Sequence, residues 1–297
     1  MMDLIVKTPR FPNPGETIAG HSLVTLPGGK GFNQAVAASR SGGKTAMLGC
    51  VGDDAFGAEF KSWLSQENID SAGVQVSLSA GTGVGLPMVN DEGENAIVIV
   101  PQANLTYNKS QVAQFRETIS HAKTVVLQLE IPDDANLEAA TIARKAGAKV
   151  ILNPAPFRKL SDELLKNIDI LVPNETELAQ LASDLKLPSG TVEETAKAIK
   201  SKYSLDLIVT LGEEGAMIVT DDESIKVSGY KVDVIDSVGA GDTFIGNFAS
   251  AIAKGESIQS AVSKANTAAA LSVTKVGGAT AAPFAATVQE FRSSREK

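Results

Sequence analysis

Residues 124–153 read TVVLQLEIPDDANLEAATIARKAGAKVILN. Two short apolar runs, TVVLQL (124–129) and KVILN (149–153), flank DDANLEAATIARKAGA, where apolar residues recur at helical spacing. Apolar, β-branched runs without polar alternation suit strands covered on both faces, and a helix between two of them makes the pair parallel. Gly147 falls where a helix C-cap needs a left-handed residue. DILVP (169–173) and LIVTL (207–211) repeat the pattern, so the chain predicts an α/β fold with a mostly parallel central sheet. The runs end at Glu130, Asn153-Pro154, Asn174-Glu175 and Gly212-Glu213. Singly, such residues are ordinary loop starts and helix caps. Four in register mark the carboxyl edge of the sheet, where open α/β folds bind ligands.

The 297 residues, 43% hydrophobic, are enough for one large domain with a sizeable core. A net charge of −8 argues against a nucleic-acid partner. One cysteine, Cys50, excludes a disulfide framework, and the separation of His21 from His121 argues against a histidine-built zinc site. No run approaches the roughly 20 apolar residues that span a bilayer, and the opening MMDLIVKTPRFPNPGE lacks a signal peptide's apolar segment. The expectation is a soluble cytoplasmic protein with no membrane partner.

Two stretches have strand character without crossover helices: PGETIAGHSLVTLP (14–27) and TGVGLPMVNDEGENAIVIV (82–100), the latter with a turn at NDEGEN (90–95). They predict a small antiparallel lobe, built from about 4–27 and 82–103, that covers the strand ends as a lid. Its apolar face suits pairing with a second subunit. The plainer alternative is a decorative extension of the main sheet.

Several glycine motifs lead nowhere. SGGKT (41–45) has Ala38 where a phosphate-binding P-loop needs glycine, and GTGVGL (81–86) and GAGDTF (239–244) have Leu86 and Phe244 at the dinucleotide fingerprint's third glycine. Two motifs survive. GGKGFNQA (28–35) opens a helix with a close-approach glycine pair, a lysine and an amide that can bond hydroxyls. DSVGAGDTF (236–244) runs into a helix whose Phe244, Ile245, Phe248 and Ile252 share a face. Gly239, Ala240 and Gly241 then lie at a helix N-terminus, where unpaired N–H groups and the dipole make an anion site. Asp242 beside it is placed to take a proton from an alcohol attacking a phosphoryl group. As a bare N-cap, Asp242 would leave the glycines unexplained.

GGKGFNQAVAASRSG and DSVGAGDTF together resemble the two signatures of the ribokinase, or PfkB, family of carbohydrate kinases. PGET (14–17), GDDAFG (52–57), NPAP (153–156), PNETE (173–177) and TLGEEG (210–215) extend the resemblance over most of the chain. It implies a single domain over 1–297, three layers αβα with a β lid, and ATP-dependent phosphorylation of D-ribose to D-ribose 5-phosphate. Asp242 would be the base, with Gly239, Ala240 and Gly241 as the anion hole. Asp3, Gly28, Gly29, Lys30, Asn33 and Glu130 would hold the sugar. Asn174, Thr210, Gly212, Gly215 and Asn266 would line the ATP site, with Glu177 supporting Mg2+ and phosphate. K+ would sit on Asp236 and the carbonyls of Val238, Ser272, Lys275 and Gly277, with Ala281 where the family's usual hydroxyl ligand stands. The lids would pair into a homodimer. The family opens with an apolar strand and an Asn-x-Asp turn. Here MMDLIV retains the aspartate as Asp3 but neither that strand nor the asparagine. Alternatives are a related kinase acting on fructose, a keto-deoxy sugar acid or a nucleoside, and a non-enzymatic sugar sensor.

Overall fold

The computed structural model describes residues 1–188, 190–222 and 224–295. The strands are β1 (Met2–Lys7), β2 (Ser22–Pro27), β3 (Ala46–Gly52), β4 (Asp70–Ser77), β5 (Val84–Val89), β6 (Asn95–Val100), β7 (Thr124–Leu127), β8 (Lys149–Leu152), β9 (Ile170–Leu171), β10 (Asp206–Thr210), β11 (Gly215–Val219) and β12 (Ser224–Ser228). The α-helices are α1 (Lys30–Arg40), α2 (Ala55–Gln66), α3 (Lys109–Ala113), α4 (Arg116–His121), α5 (Asp133–Lys145), α6 (Asp162–Leu165), α7 (Glu175–Asp184), α8 (Val192–Tyr203), α9 (Ala240–Ala253), α10 (Ile258–Ser272), α11 (Gly278–Ala281) and α12 (Ala285–Arg295). None among the described residues is long and apolar enough to cross a membrane.

The four apolar runs form β7 to β10, side by side and parallel, and β11 and β12 extend that sheet antiparallel to the order β12-β11-β10-β9-β8-β7. Alternate residues explain why the runs are apolar throughout. Val150 and Leu152 enter a core with α5, α7 and α8, through residues such as Ala140, Leu181 and Ile199. Ile151, between them, enters the core on the other face with Phe244, Phe248 and Val262 of α9 and α10. Burying both faces gives the three layers. Gly147, with φ 79°, follows α5 as expected.

The central layer is divided. Among the described residues β3 pairs in parallel only with β4, and β7 pairs only with β8. Cys50 of β3 and Leu127 of β7 nonetheless belong to one apolar core.

The four-stranded sheet where the sequence predicts a lid departs from the expected purely antiparallel lobe. Its order is β2-β1-β5-β6, and β1 runs parallel to β5. The chain between β1 and β5 passes through α1, β3, α2 and β4 before returning, the long crossover that parallel pairing needs. Of residues 14–27 only Ser22–Pro27 is strand. The preceding segment is irregular and tied by an Arg10–Glu16 ion pair. The turn at 90–95 joins β5 to β6 as expected, with Gly93 at φ 82°.

Candidate active site

Helix α9 begins at Ala240, with Gly239 as N-cap at φ 76°. Asp242 is therefore its third residue and not the cap. The Ala240 N–H spends itself on the Ser237 carbonyl at 3.3 Å. The N–H groups of Gly241 and Asp242 belong to the first turn, which has no helical acceptors. Gly241 is exposed, and a Cβ added there would meet nothing within 4 Å, so space is open beside this first turn.

Asp242 is only 7% exposed, and α1 packs against it. A Cβ at Gly246, one turn along α9, would lie 2.4 Å from the Gln34 carbonyl and 2.6 Å from the Ala37 Cβ, so glycine is what lets the two helices approach. That approach delivers two amides. Asn33 Nδ2 donates to Asp242 Oδ2 at 2.9 Å, and Gln34 Nε2 donates to Asp242 Oδ1 at 2.9 Å. Asn33 Oδ1 is left buried without a partner among the described residues, an acceptor facing the same corner.

The expected sugar ligands gather beside this corner. Glu130 accepts from the Lys30 backbone N–H at 2.8 Å, and Met1 Nα donates to the Gly28 carbonyl at 3.3 Å. A Cβ at Gly28 would fall 1.9 Å from Asp3 Oδ2, and one at Gly29 would fall 3.2 Å from Glu130 Oε2. The glycine pair thus seats two carboxylates against the loop. Burial pushes both up; the Met1 amino group pulls them down, helped at Glu130 by the Lys30 N–H, and the Asp242 charge adds to the upward push. Burial likewise raises Glu177, against the Asn174 N–H and Lys30, with Asp242 again pushing up. Asp3, Glu130 and Glu177 thus all lie within electrostatic reach of Asp242.

The expected nucleotide residues lie along the strand ends. Asn174 caps α7 in a reciprocal box with Glu177 and bridges to Thr210 at the end of β10. Gly212 and Gly215 hold positive φ around the turn into β11. Asn266 donates to the Val227 and Ser228 carbonyls at 3.0 and 3.2 Å. For the cation, Asp236 joins two loops by accepting from Val238 N at 3.0 Å and Gly277 N at 2.9 Å. That brings three expected members together. Ser272 and Ala281 are buried nearby in sequence, and Lys275 is exposed. Among the described residues no group of three or more His, Cys, Asp or Glu is arranged to hold a metal ion.

Two residues of the site, Gln34 and Gln128, escaped the sequence reading, and Asn153 was marked there only as a strand end. Gln34 is 2% exposed, on the side of α1 that meets α9 and away from the apolar face of Phe32 and Val36. Its position inside the GGKGFNQA motif was the available signal.

Comparison with known proteins agrees with this fold. Residues 1–285 match the model of the pfkB family carbohydrate kinases. The chain is 37% identical over 289 residues to a ribokinase of Haemophilus influenzae, covering 97% of this chain and 94% of the relative. A ribokinase of Thermotoga maritima superposes with a TM-score of 0.92 at 32% identity, over 98% of this chain and 96% of that one. An Arabidopsis thaliana ribokinase complexed with ribose and ATP superposes with a TM-score of 0.90 at 33% identity, over 97% and 95%. With its two glycine motifs at one corner of this fold, the chain belongs to the pfkB family of carbohydrate kinases.

Proposed function

We propose that the chain transfers the γ-phosphoryl group of ATP to the primary hydroxyl of ribose. One observation carries the reading: Asp242 sits at the third position of α9, in a first turn with open space beside it, and both its oxygens are held by α1. Asp3, Lys30, Asn33 and Glu130, with the backbone at Gly28 and Gly29, bind the sugar hydroxyls, and the free Asn33 Oδ1 accepts from one of them. The hydroxyl oxygen attacks phosphorus, the bond to the β-phosphate oxygen breaks, ADP leaves, and the proton passes to Asp242. The first-turn N–H groups left over at the Gly239-Ala240-Gly241 helix start, those of Gly241 and Asp242, neutralise the charge on the transferring group. Asn174, Thr210, Gly212, Gly215 and Asn266 hold the nucleotide. Bound Mg2+ would offset phosphate charge, held through the phosphates with Glu177 in support. K+ would rest on Asp236 and the carbonyls of Val238, Ser272, Lys275 and Gly277, with Ala281 offering no donor. The lid pairs with a second copy through exposed Leu23, Val24, Ile97, Val98 and Ile99. We also read the interval between β3 and β7 as the place of the family's first strand, since Met2–Lys7 is taken up in the lid.

Coupled ADP detection over a panel of sugars and nucleosides tests the acceptor. Ribose should give the highest turnover; phosphorylation of fructose but not ribose rejects it. Asp242→Asn should lower kcat by about 10²–10⁴-fold with ATP affinity retained, and equal rates reject the base.

A further inference from the structure

We infer that Gln34 is the positioning residue of Asp242, held the right way round by Asn153 and Gln128; this rests on the base role proposed above. The rotation of an aspartate carboxyl about its last bond is soft and roughly two-fold, so a base needs outside groups to fix its lone pairs. Asn33 fixes Oδ2 and Gln34 fixes Oδ1.

A glutamine can do this in only one orientation, because its flipped amide would set an oxygen against the carboxylate. The orientation traces back to a backbone carbonyl. Val172 C=O can only accept, and Asn153 Nδ2 donates to it at 3.0 Å. Asn153 Oδ1 must then face Gln34, whose Nε2 donates to it at 3.2 Å and to Asp242 at 2.9 Å. From the other side Gln128 Nε2 donates to Gln34 Oε1 at 2.6 Å. Every polar atom of the buried Gln34 amide is spoken for: Asp242 and Asn153 both demand this orientation, and Gln128 completes it by donating to the oxygen. The end of β9, the loop after β8, the segment after β7 and α1 thereby jointly aim one carboxylate on α9.

Gln128→Glu and Gln128→Met test this in the full chain, with ribose and ATP as substrates. Glutamate can only accept, so it turns the Gln34 amide over and sets Oε1 against Asp242; methionine merely removes one partner. The expected kcat losses are about 100-fold for Gln128→Glu and about tenfold for Gln128→Met. KM for ribose and ATP should stay within about threefold, and the kcat loss should persist well below the melting temperature of each variant. In an Asp242→Asn background Gln128→Glu should cost nothing further, because the amide that replaces the carboxylate can turn to match either orientation of Gln34. If Gln128→Glu fails to fold, Gln128→Met alone must lose kcat at constant KM. Wild-type kcat in Gln128→Glu, a loss confined to KM or Tm, or an undiminished loss in the Asp242→Asn background overturns the inference. Full turnover by Asp242→Asn alone is a different result and removes the base reading beneath it.

Discussion

Gly28 has no room for a side chain, because Asp3 Oδ2 occupies the place of its Cβ. Gly28→Ala should therefore displace Asp3 and raise the sugar KM by about tenfold or more while ATP binding holds; about 1.4 kcal/mol of lost contact is tenfold. An unchanged KM would separate Gly28 from the sugar. Glu177 is raised by burial, so its folded form keeps a proton that the unfolded form has released. The stability this gives is complete below the unfolded pKa and is lost as pH rises through the elevated folded value. Glu177→Gln keeps the capping geometry with Asn174. It should melt higher than the parent at about pH 8 without ligands, match it near about pH 4, and lose kcat. Thermal melts at the two pH values check the sign. These residues differ in how openly the sequence displays them. Asp242 and Gly28 lie in local motifs. Gln128 and Asn153 reach Gln34 from 94 and 119 positions away, and no local spacing encodes a hydrogen bond that long in sequence.

The elements divide in the same way. Strands β7 to β10 were legible because burial on both faces demands unbroken apolar runs, and α5 because its pattern and Gly147 agree. The parallel pairing of β1 with β5 was not legible, since strand direction depends on the path between them and not on composition. Strand β6 shows Ile97 54%, Val98 53% and Ile99 44% exposed. A strand open on both faces at a sheet edge is a liability unless something covers it. If a second copy does so, Ile97→Lys should shift the protein toward a monomer in analytical ultracentrifugation. The melting temperature of the isolated protomer should barely change. A parent chain already monomeric at micromolar concentration would remove the lid-to-lid pairing.

Across the whole molecule the divided central layer should show in hydrogen exchange. Amides of β3 and β7 that face the interval lack ladder partners among the described residues, whereas β8 and β9 are paired on both sides. Exchange at residues 48–50 and 125–126 should outpace that at residues 150–152 by an order of magnitude or more. Equal protection would mean the interval is closed. The same molecule-wide view gives β1 a second importance. It is a strand of the proposed lid, yet it carries Asp3 against Gly28 and Gly85. Whatever tugs on Asp3 also tugs on the canopy. A sugar that engaged Asp3 would therefore load the four-stranded sheet overhead as well as the loop at Gly28, so tightening at the acceptor would be felt in β2 and β5, the two strands that flank β1.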